Sequence, residues 1–478
     1  MNRRMVLSMV GKVVLLEAAL MLPALIISLI YRESCTVAFA ASMGICLAVG
    51  ALMTVIFKPS SNLIFAREGF VIVALCWIAL SVLGALPFYI SREIPSYIDA
   101  LFETVSGFST TGASILTDVE AMSKGLLFWR SFTHWIGGMG VLVFVLAVVN
   151  TLSDRSIHIL RAEVPGPVVG KLVPKARQTA RLLYVIYIVF TLAEILLLWA
   201  GDMNLYESIL HAISTAGTGG FGIKNNSIAS YSTYSHAVIT VFMLLFGINF
   251  NLYYFILIGK AKISFKSTEL HYYLGTVAFS TACIMFNLYP VYKNIGTAFK
   301  HAVLQVSSFI TTTGFSTDNF NEWPILSKTI LFLLMFVGGC AGSTAGGFKM
   351  SRAIILVKSI KRELKRALHP RSVEVVHYEG KSLNETTVKA ISSYLSIYVL
   401  FFCVIVFLIG FEDFDLETNL TVVATCYNNI GPAFGAATST FAGYSPFGKL
   451  VLCVAMLFGR LEIYPMIIAL SPSTWSKK

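Results

Sequence analysis

Apolar residues run through this chain in long, nearly unbroken stretches, not at the spacing of a soluble amphipathic fold. The first two stretches, about 13–31 and 36–57, predict helices joined by a short turn around Arg32 and Glu33. A three-part pattern then recurs four times: a long apolar helix, a shorter segment rich in Ser, Thr and Gly, and a second long helix. The units cover about 70–150, 182–260, 270–366 and 389–470, with their short segments at 97–117, 205–223, 297–318 and 416–437.

Those short segments read DALFETVSGFSTTGAS, YESILHAISTAGTGGFGI, KHAVLQVSSFITTTGFST and LTVVATCYNNIGPAFGAA. Each opens as a helix too short to span a bilayer and closes on small residues around Gly112, Gly220, Gly314 or Gly431. Intervals of 108, 94 and 117 residues between these glycines fit one structural unit used four times. A loop in water has no reason to carry ten or so apolar residues before its glycine, so the segments read as re-entrant. Such backbone is tolerated at membrane depth only where protein or a water-filled cavity satisfies it. The organisation expected is 1–66, a pair of transmembrane helices; 67–181, unit 1 with a cytoplasmic loop; 182–266, unit 2; 267–388, unit 3; and 389–478, unit 4. The fold class is an all-α polytopic membrane protein, four helix–loop–helix units in pseudo-fourfold arrangement plus the N-terminal pair.

Composition agrees: 56% of the 478 residues are apolar, 13% are charged, and the mean hydropathy is +0.75, which excludes a soluble domain. The run after Arg3, Arg4 and Lys12 is too long for a signal peptide and lacks a cleavage site, so it is kept as a membrane helix. The eight Cys are scattered, without metal-ligand spacing. A net charge of +11 does not point to nucleic acid, because with the N-terminus inside 26 of the 36 Lys and Arg fall on cytoplasmic loops. By topology the charge divides into +18 inside, −5 outside and −2 within the spans, and the four short segments lie on the outer side.

Four such loops meeting on one axis form a ring of backbone carbonyls, which can replace the water shell of a desolvated cation. Glycine lets the backbone turn its carbonyl inward at φ values that a side chain penalises. Each short helix points its C-terminal end at the centre, adding a partial negative charge.

STTGAS (109–114), GTGGFG (217–222), TTTGFST (311–317) and NNIGPAFG (428–435), with THWIGGMG (133–140) and GGCAGSTAGGFK (338–349), resemble the Trk/Ktr/HKT superfamily of potassium translocators. The N-terminal helix pair and the length are similar to the bacterial TrkH/TrkG-type transmembrane subunit. The resemblance implies potassium uptake across the bacterial inner membrane, K+ being the transported ion, with both termini cytoplasmic. It assigns one filter glycine per unit, Gly112, Gly220, Gly314 and Gly431. The flanking carbonyl donors are then Thr110, Thr111, Thr218, Gly219, Thr312, Thr313, Asn429 and Ile430. In plant relatives Ser at the first glycine goes with sodium permeation, and this chain keeps Gly112. GTGGFG leaves its register open by one residue, and NNIGP lacks the Thr pair.

In unit 3 the second helix is interrupted by GGCAGSTAGG (338–347), read either as close helix packing or as an unwound loop under the filter. The resemblance implies a gate here, with Gly338, Gly339, Gly342, Ser343, Gly346, Gly347, Lys349 and Arg460. Arg460 has two readings, a structural ion pair or a cationic barrier below the filter. Glu17 and Glu194 are expected to be structural or interfacial, and His134, near the outer start of a helix, structural. Glu412, Asp413, Asp415 and Glu417 either concentrate cations at the fourth loop or form a solvated charge run. The basic helix with Lys358, Lys361, Arg362, Lys365 and Arg366 suits anionic lipid or a docking partner. The resemblance implies a cytoplasmic TrkA-like RCK regulatory protein and a homodimer. With no Walker or Rossmann fingerprint, no nucleotide is bound by this chain, and no enzyme motif such as HExxH occurs. Coupling of potassium to H+ or Na+, or a less selective K+/Na+ pathway, remains the alternative.

Overall fold

The computed structural model describes residues 1–58, 65–140, 176–372 and 374–475. The protein is an all-α, multi-pass membrane protein. Among the described residues six helices are long and apolar enough to cross a membrane, and two bent helix pairs bring the number to eight if each is one span. Strand structure there is confined to one antiparallel hairpin, His377–Tyr378 with Lys381–Ser382.

The first apolar stretch forms a helix earlier than expected, at Arg3–Leu20, because the Asn2 side chain caps it by accepting from the Met5 amide. A break at Met21, just before Pro23, separates it from Leu22–Ile30. Cys35–Ile56 packs back against it. Gly11 and Gly50 make that contact possible, since a β-carbon on either would lie 2.8 Å from a side-chain carbon of the other helix.

The recurring pattern follows. Unit 1 contributes Ala66–Gly84, the short helix Tyr97–Phe108 and Lys124–Gly138. The expected continuation to Asn150, and the cytoplasmic segment as far as 175, lie outside the described residues. Unit 2 contributes Ala176–Trp199, Leu205–Ala216 and Thr233–Phe246. Unit 3 contributes Thr268–Tyr292, Ile295–Ile310 and Ile325–Val337, and unit 4 Glu385–Ile409, Leu416–Asn428 and Pro446–Arg460.

Each short helix starts on a side-chain cap, Ser96, Asn204, Asn294 or Asp415. Asn204 and Glu207 form a reciprocal capping box. Helices of 12 or 13 residues reach only ~18 Å, short of the ~30 Å hydrocarbon layer, so their C-terminal ends stop inside the protein.

Two second helices differ from the expectation of continuous spans to 260 and 470. In unit 2, Thr233–Phe246 and Phe250–Leu257 meet at 90° across Gly247–Asn249, and in unit 4, Pro446–Arg460 and Tyr464–Leu470 meet at 119° across Leu461–Ile463. The second break places Glu462 and Ile463 at φ 57° and 65° before Pro465, a conformation that ends a helix. The first exposes carbonyls that another unit satisfies.

Candidate functional site

The four glycine loops share one backbone design. After each short helix the chain makes an i→i−5 closing bond: Thr111 N to Ser106 O at 2.9 Å, Gly219 N to Ser214 O at 3.0 Å, Thr313 N to Ser308 O at 2.8 Å, and Ile430 N to Thr425 O at 3.0 Å. The residue before each closing amide is left-handed, with φ 57° at Thr110, 54° at Thr218, 54° at Thr312 and 57° at Asn429. Two residues later the glycines are left-handed as well, at 81°, 72°, 90° and 105° for Gly112, Gly220, Gly314 and Gly431. This alternation fixes the register of the second and fourth loops. It also holds three β-branched Thr where such residues rarely sit, the kind of local strain that marks a functional backbone.

The loops close into a ring. A β-carbon on Gly112 would lie 1.9 Å from the Gly219 carbonyl oxygen, one on Gly220 1.9 Å from that of Thr313, one on Gly314 2.2 Å from that of Ile430, and one on Gly431 2.8 Å from that of Thr111. Each glycine therefore leans on the loop of the next unit, and the fourth returns to the first. Thr110, Thr111, Thr218, Thr312, Thr313, Asn429 and Ile430 are wholly buried around it. Ser109 and Thr111 hydroxyls pair at 2.7 Å, Thr311 and Thr313 at 2.8 Å, and in the fourth loop Asn429 Nδ2 donates to Thr111 Oγ1 at 2.9 Å. The hydroxyl pairs thus lie within their own loops, whereas Asn429 links the fourth loop to the first.

Gly219 replaces the Thr found in the first and third loops for a steric reason. Its β-carbon would fall 2.2 Å from Nδ1 of His134, whose ring stacks on Phe221 at 4.0 Å and meets Ser214 Oγ at 3.1 Å. His134 is not near the outer start of its helix; it lies in the last turns of Lys124–Gly138, behind the second loop.

On one side the four glycines line a cavity of about 420 Å³, together with Asn225, Thr317 and Asp318. On the other, a space of about 50 Å³ is bounded by Trp77, Gly138, Gly346, Lys349 and Arg460. What narrows it is the segment 338–349, which is irregular between Ile325–Val337 and Met350–Leu368, with φ of 70°, 75° and 77° at Gly338, Gly342 and Gly347. Gly346 N donates to Thr312 Oγ1 at 2.6 Å, so the segment touches the ring itself. Cys340 N donates to Gly247 O at 2.9 Å, and Phe250 N to Gly342 O at 3.1 Å, which satisfies the break in the unit 2 helix. Gly339 has a β-carbon site 2.7 Å from Ala345 Cβ, Ser343 Oγ donates to Cys340 O at 2.6 Å, and Ala341 N donates to Glu269 Oε1 at 2.7 Å.

Lys349 is buried and its ammonium donates to the Ala345 carbonyl. Arg460 donates to Thr344 O at 2.8 Å and to Gly137 O and Gly138 O at 2.6 Å each, tying unit 4 to the segment and to unit 1. Glu462, close by in sequence, pairs with Arg352.

Glu17 and Glu194 are wholly buried within the protein. Three of the four outer acids have structural partners: Glu412 accepts from Ser445, Asp415 caps its helix, and Glu417 pairs with Lys328 at 2.7 Å. On the basic helix, Arg362 pairs with Glu385 at 2.7 Å and Lys358 donates to His377 O at 2.9 Å. Among the described residues no group of three or more His, Cys, Asp or Glu could hold a metal ion, so any cation site at the ring is one of carbonyls and hydroxyls.

The family model of TrkH, a cation transport protein, matches residues 36–292 and 284–478. This chain belongs to the TrkH family. It is 34% identical to the Trk system potassium uptake protein TrkH of Salmonella typhimurium, over 99% of this chain and 100% of that protein. It is equally identical to the Trk system potassium uptake protein TrkG of Escherichia coli K12, over 99% and 98%. The crystal structure of the potassium transporter TrkH from Vibrio parahaemolyticus superposes with a TM-score of 0.90 at 32% identity, covering all of both chains.

Proposed function

We propose that this TrkH-family chain takes up potassium, the closed ring of left-handed glycine loops being its selectivity filter. The observation that carries the reading is the repeated pattern of φ at Thr110/Gly112, Thr218/Gly220, Thr312/Gly314 and Asn429/Gly431. A backbone so constrained presents carbonyls to a desolvated cation at fixed distance. Four short helices ending at the ring add negative potential there. The segment 338–347 with Lys349 and Arg460 is the gate: it touches the ring, narrows the space behind it and places two cations there.

The charge asymmetry favours both termini lying in the cytoplasm, and membership of the TrkH family favours the bacterial inner membrane. Regulation then falls to a cytoplasmic TrkA-like RCK partner that binds the nucleotide, with the chain itself a homodimer among membrane lipids. The test is uptake of potassium, rubidium, sodium and lithium into liposomes holding the purified protein. Gly314→Ser and Gly112→Ser should each lower the potassium-to-sodium ratio about tenfold, equivalent to ~1.4 kcal/mol. Unaltered selectivity in both variants would sink the filter assignment.

A further inference from the structure

Glu103 and Arg130 form an ion pair at 2.5 Å with both residues shut off from solvent, at 1% and 3% exposure. Every other pair among the described residues has a side chain at least 23% exposed. Burying two charges costs more than an apolar pair of the same size, so such a pair calls for a reason other than stability. Neither residue belongs to the ring. Glu103 stands nine positions before Gly112, where the other units carry His211, Gln305 and Val422.

Its carboxylate holds the exit of the first loop, accepting from Ser114 Oγ at 2.9 Å and from the Ile115 amide at 3.0 Å. Arg130 holds the exit of the second. Its Nη1 donates to Gly222 O at 3.0 Å, and its guanidinium lies 3.5 Å from the centre of the Phe221 ring. His134, one turn further along the same helix, stacks on that ring. The pair therefore joins residues 114–115 to residues 221–222, across the seam where Gly112 leans on Gly219. At the other seams the loop exits themselves are held by neutral bonds, Ile228 N to Ser316 O at 3.2 Å, Gly435 N to Asn321 Oδ1 at 3.1 Å, and Phe441 N to Ser114 O at 2.8 Å, and the ion pairs that also join those units, Lys328–Glu417 and Lys449–Asp99, each keep a side chain partly exposed.

We propose that Glu103 and Arg130 are a positioning pair that sets the separation of the first and second loops at the outer mouth, and through it the discrimination of potassium from sodium. The inference rests on the filter reading. Carboxylate and guanidinium cancel, so the brace adds no net charge beside the cation path. The planar fork of Arg130 serves Glu103 and Gly222 together, which a lysine ammonium at the same place does not.

The experiment compares potassium and sodium uptake by the full-length protein in liposomes for Arg130→Lys, the double apolar variant Glu103→Leu/Arg130→Met, and Gly314→Ser. In Arg130→Lys, charge is conserved and only the geometry changes. The potassium-to-sodium ratio should fall roughly three- to tenfold while the protein stays folded and conducts. If the lysine variant does not fold, the double variant, without buried charge, gives the same reading. A ratio unchanged in both, with Gly314→Ser still shifting it, overturns the brace and leaves the filter standing. A ratio unchanged in all three overturns both. Loss of folded protein in both brace variants assigns the pair to folding alone and equally overturns the inference.

Discussion

At the scale of single residues, Gly219 is small because His134 occupies the volume that a side chain would need. Restoring the Thr of the other loops is therefore an overpacking problem, costing roughly 1–3 kcal/mol. Gly219→Thr alone should lower both thermal stability and potassium uptake. Adding His134→Ala vacates the ring's place, and the double variant should recover much of the loss. Melting temperature and liposome flux measure this, and a double variant no better than Gly219→Thr would show that the histidine does not dictate the glycine. The second loop is thus unequal to the others through its neighbour, not through a different backbone, since its φ pattern is the shared one.

Between elements, the contacts that bear on the proposed gate are those that hold segment 338–349 in place. Glu269, at the start of Thr268–Tyr292, accepts from Ala341 N, and from the other side Glu379 in the hairpin turn accepts from the Glu269 amide at 2.9 Å. The segment is thereby linked to the hairpin 377–382. Glu269→Ala leaves the buried Ala341 amide without its acceptor, a loss of ~1 kcal/mol, and basal flux should rise about fivefold. Arg460→Ala removes three carbonyl contacts and a cation, and deletion of 338–347 removes the obstruction; each should raise flux further. Conduction unchanged in all of these would mean that the segment is not the gate. On the opposite side of unit 2, Asp202 ties the helix Thr233–Phe246 to the end of Ala176–Trp199, accepting from Ser232 N at 2.8 Å and Ser232 Oγ at 2.6 Å. Partial burial opposes its charge, but the bonds from Ser232 and Ser235 outweigh this and hold its pKa down to about 2. A depressed carboxylate stabilises the fold above its ordinary value near 3.8 and loses that contribution as pH falls toward 2. Asp202→Asn should accordingly melt earlier than wild type at pH 7, with the gap closing by about pH 2, as followed by thermal unfolding at each pH.

In the molecule as a whole, what was legible in the sequence was whatever repeats or persists along the chain. The apolar runs predicted the spans, and four glycines at similar intervals predicted the four loops, because period and composition are local signals. Arg130, Glu103 and Glu269 left no such signal. Glu103 and Arg130 stand 27 positions apart, Glu269 and Ala341 72, and a lone charge near an apolar run looks the same whether it is paired or solvated. The break at Gly247–Asn249 was hidden for the same reason, since its carbonyls are satisfied by a segment of another unit. The ring itself has one further consequence. Each glycine has given up its side-chain space to the carbonyl of the following loop, and the order runs one way around, so clearance is common property. No single loop can widen or tighten alone: a methyl group added to one must be accommodated by its successor. Four chemically different sequences are in this way obliged to present one shared boundary.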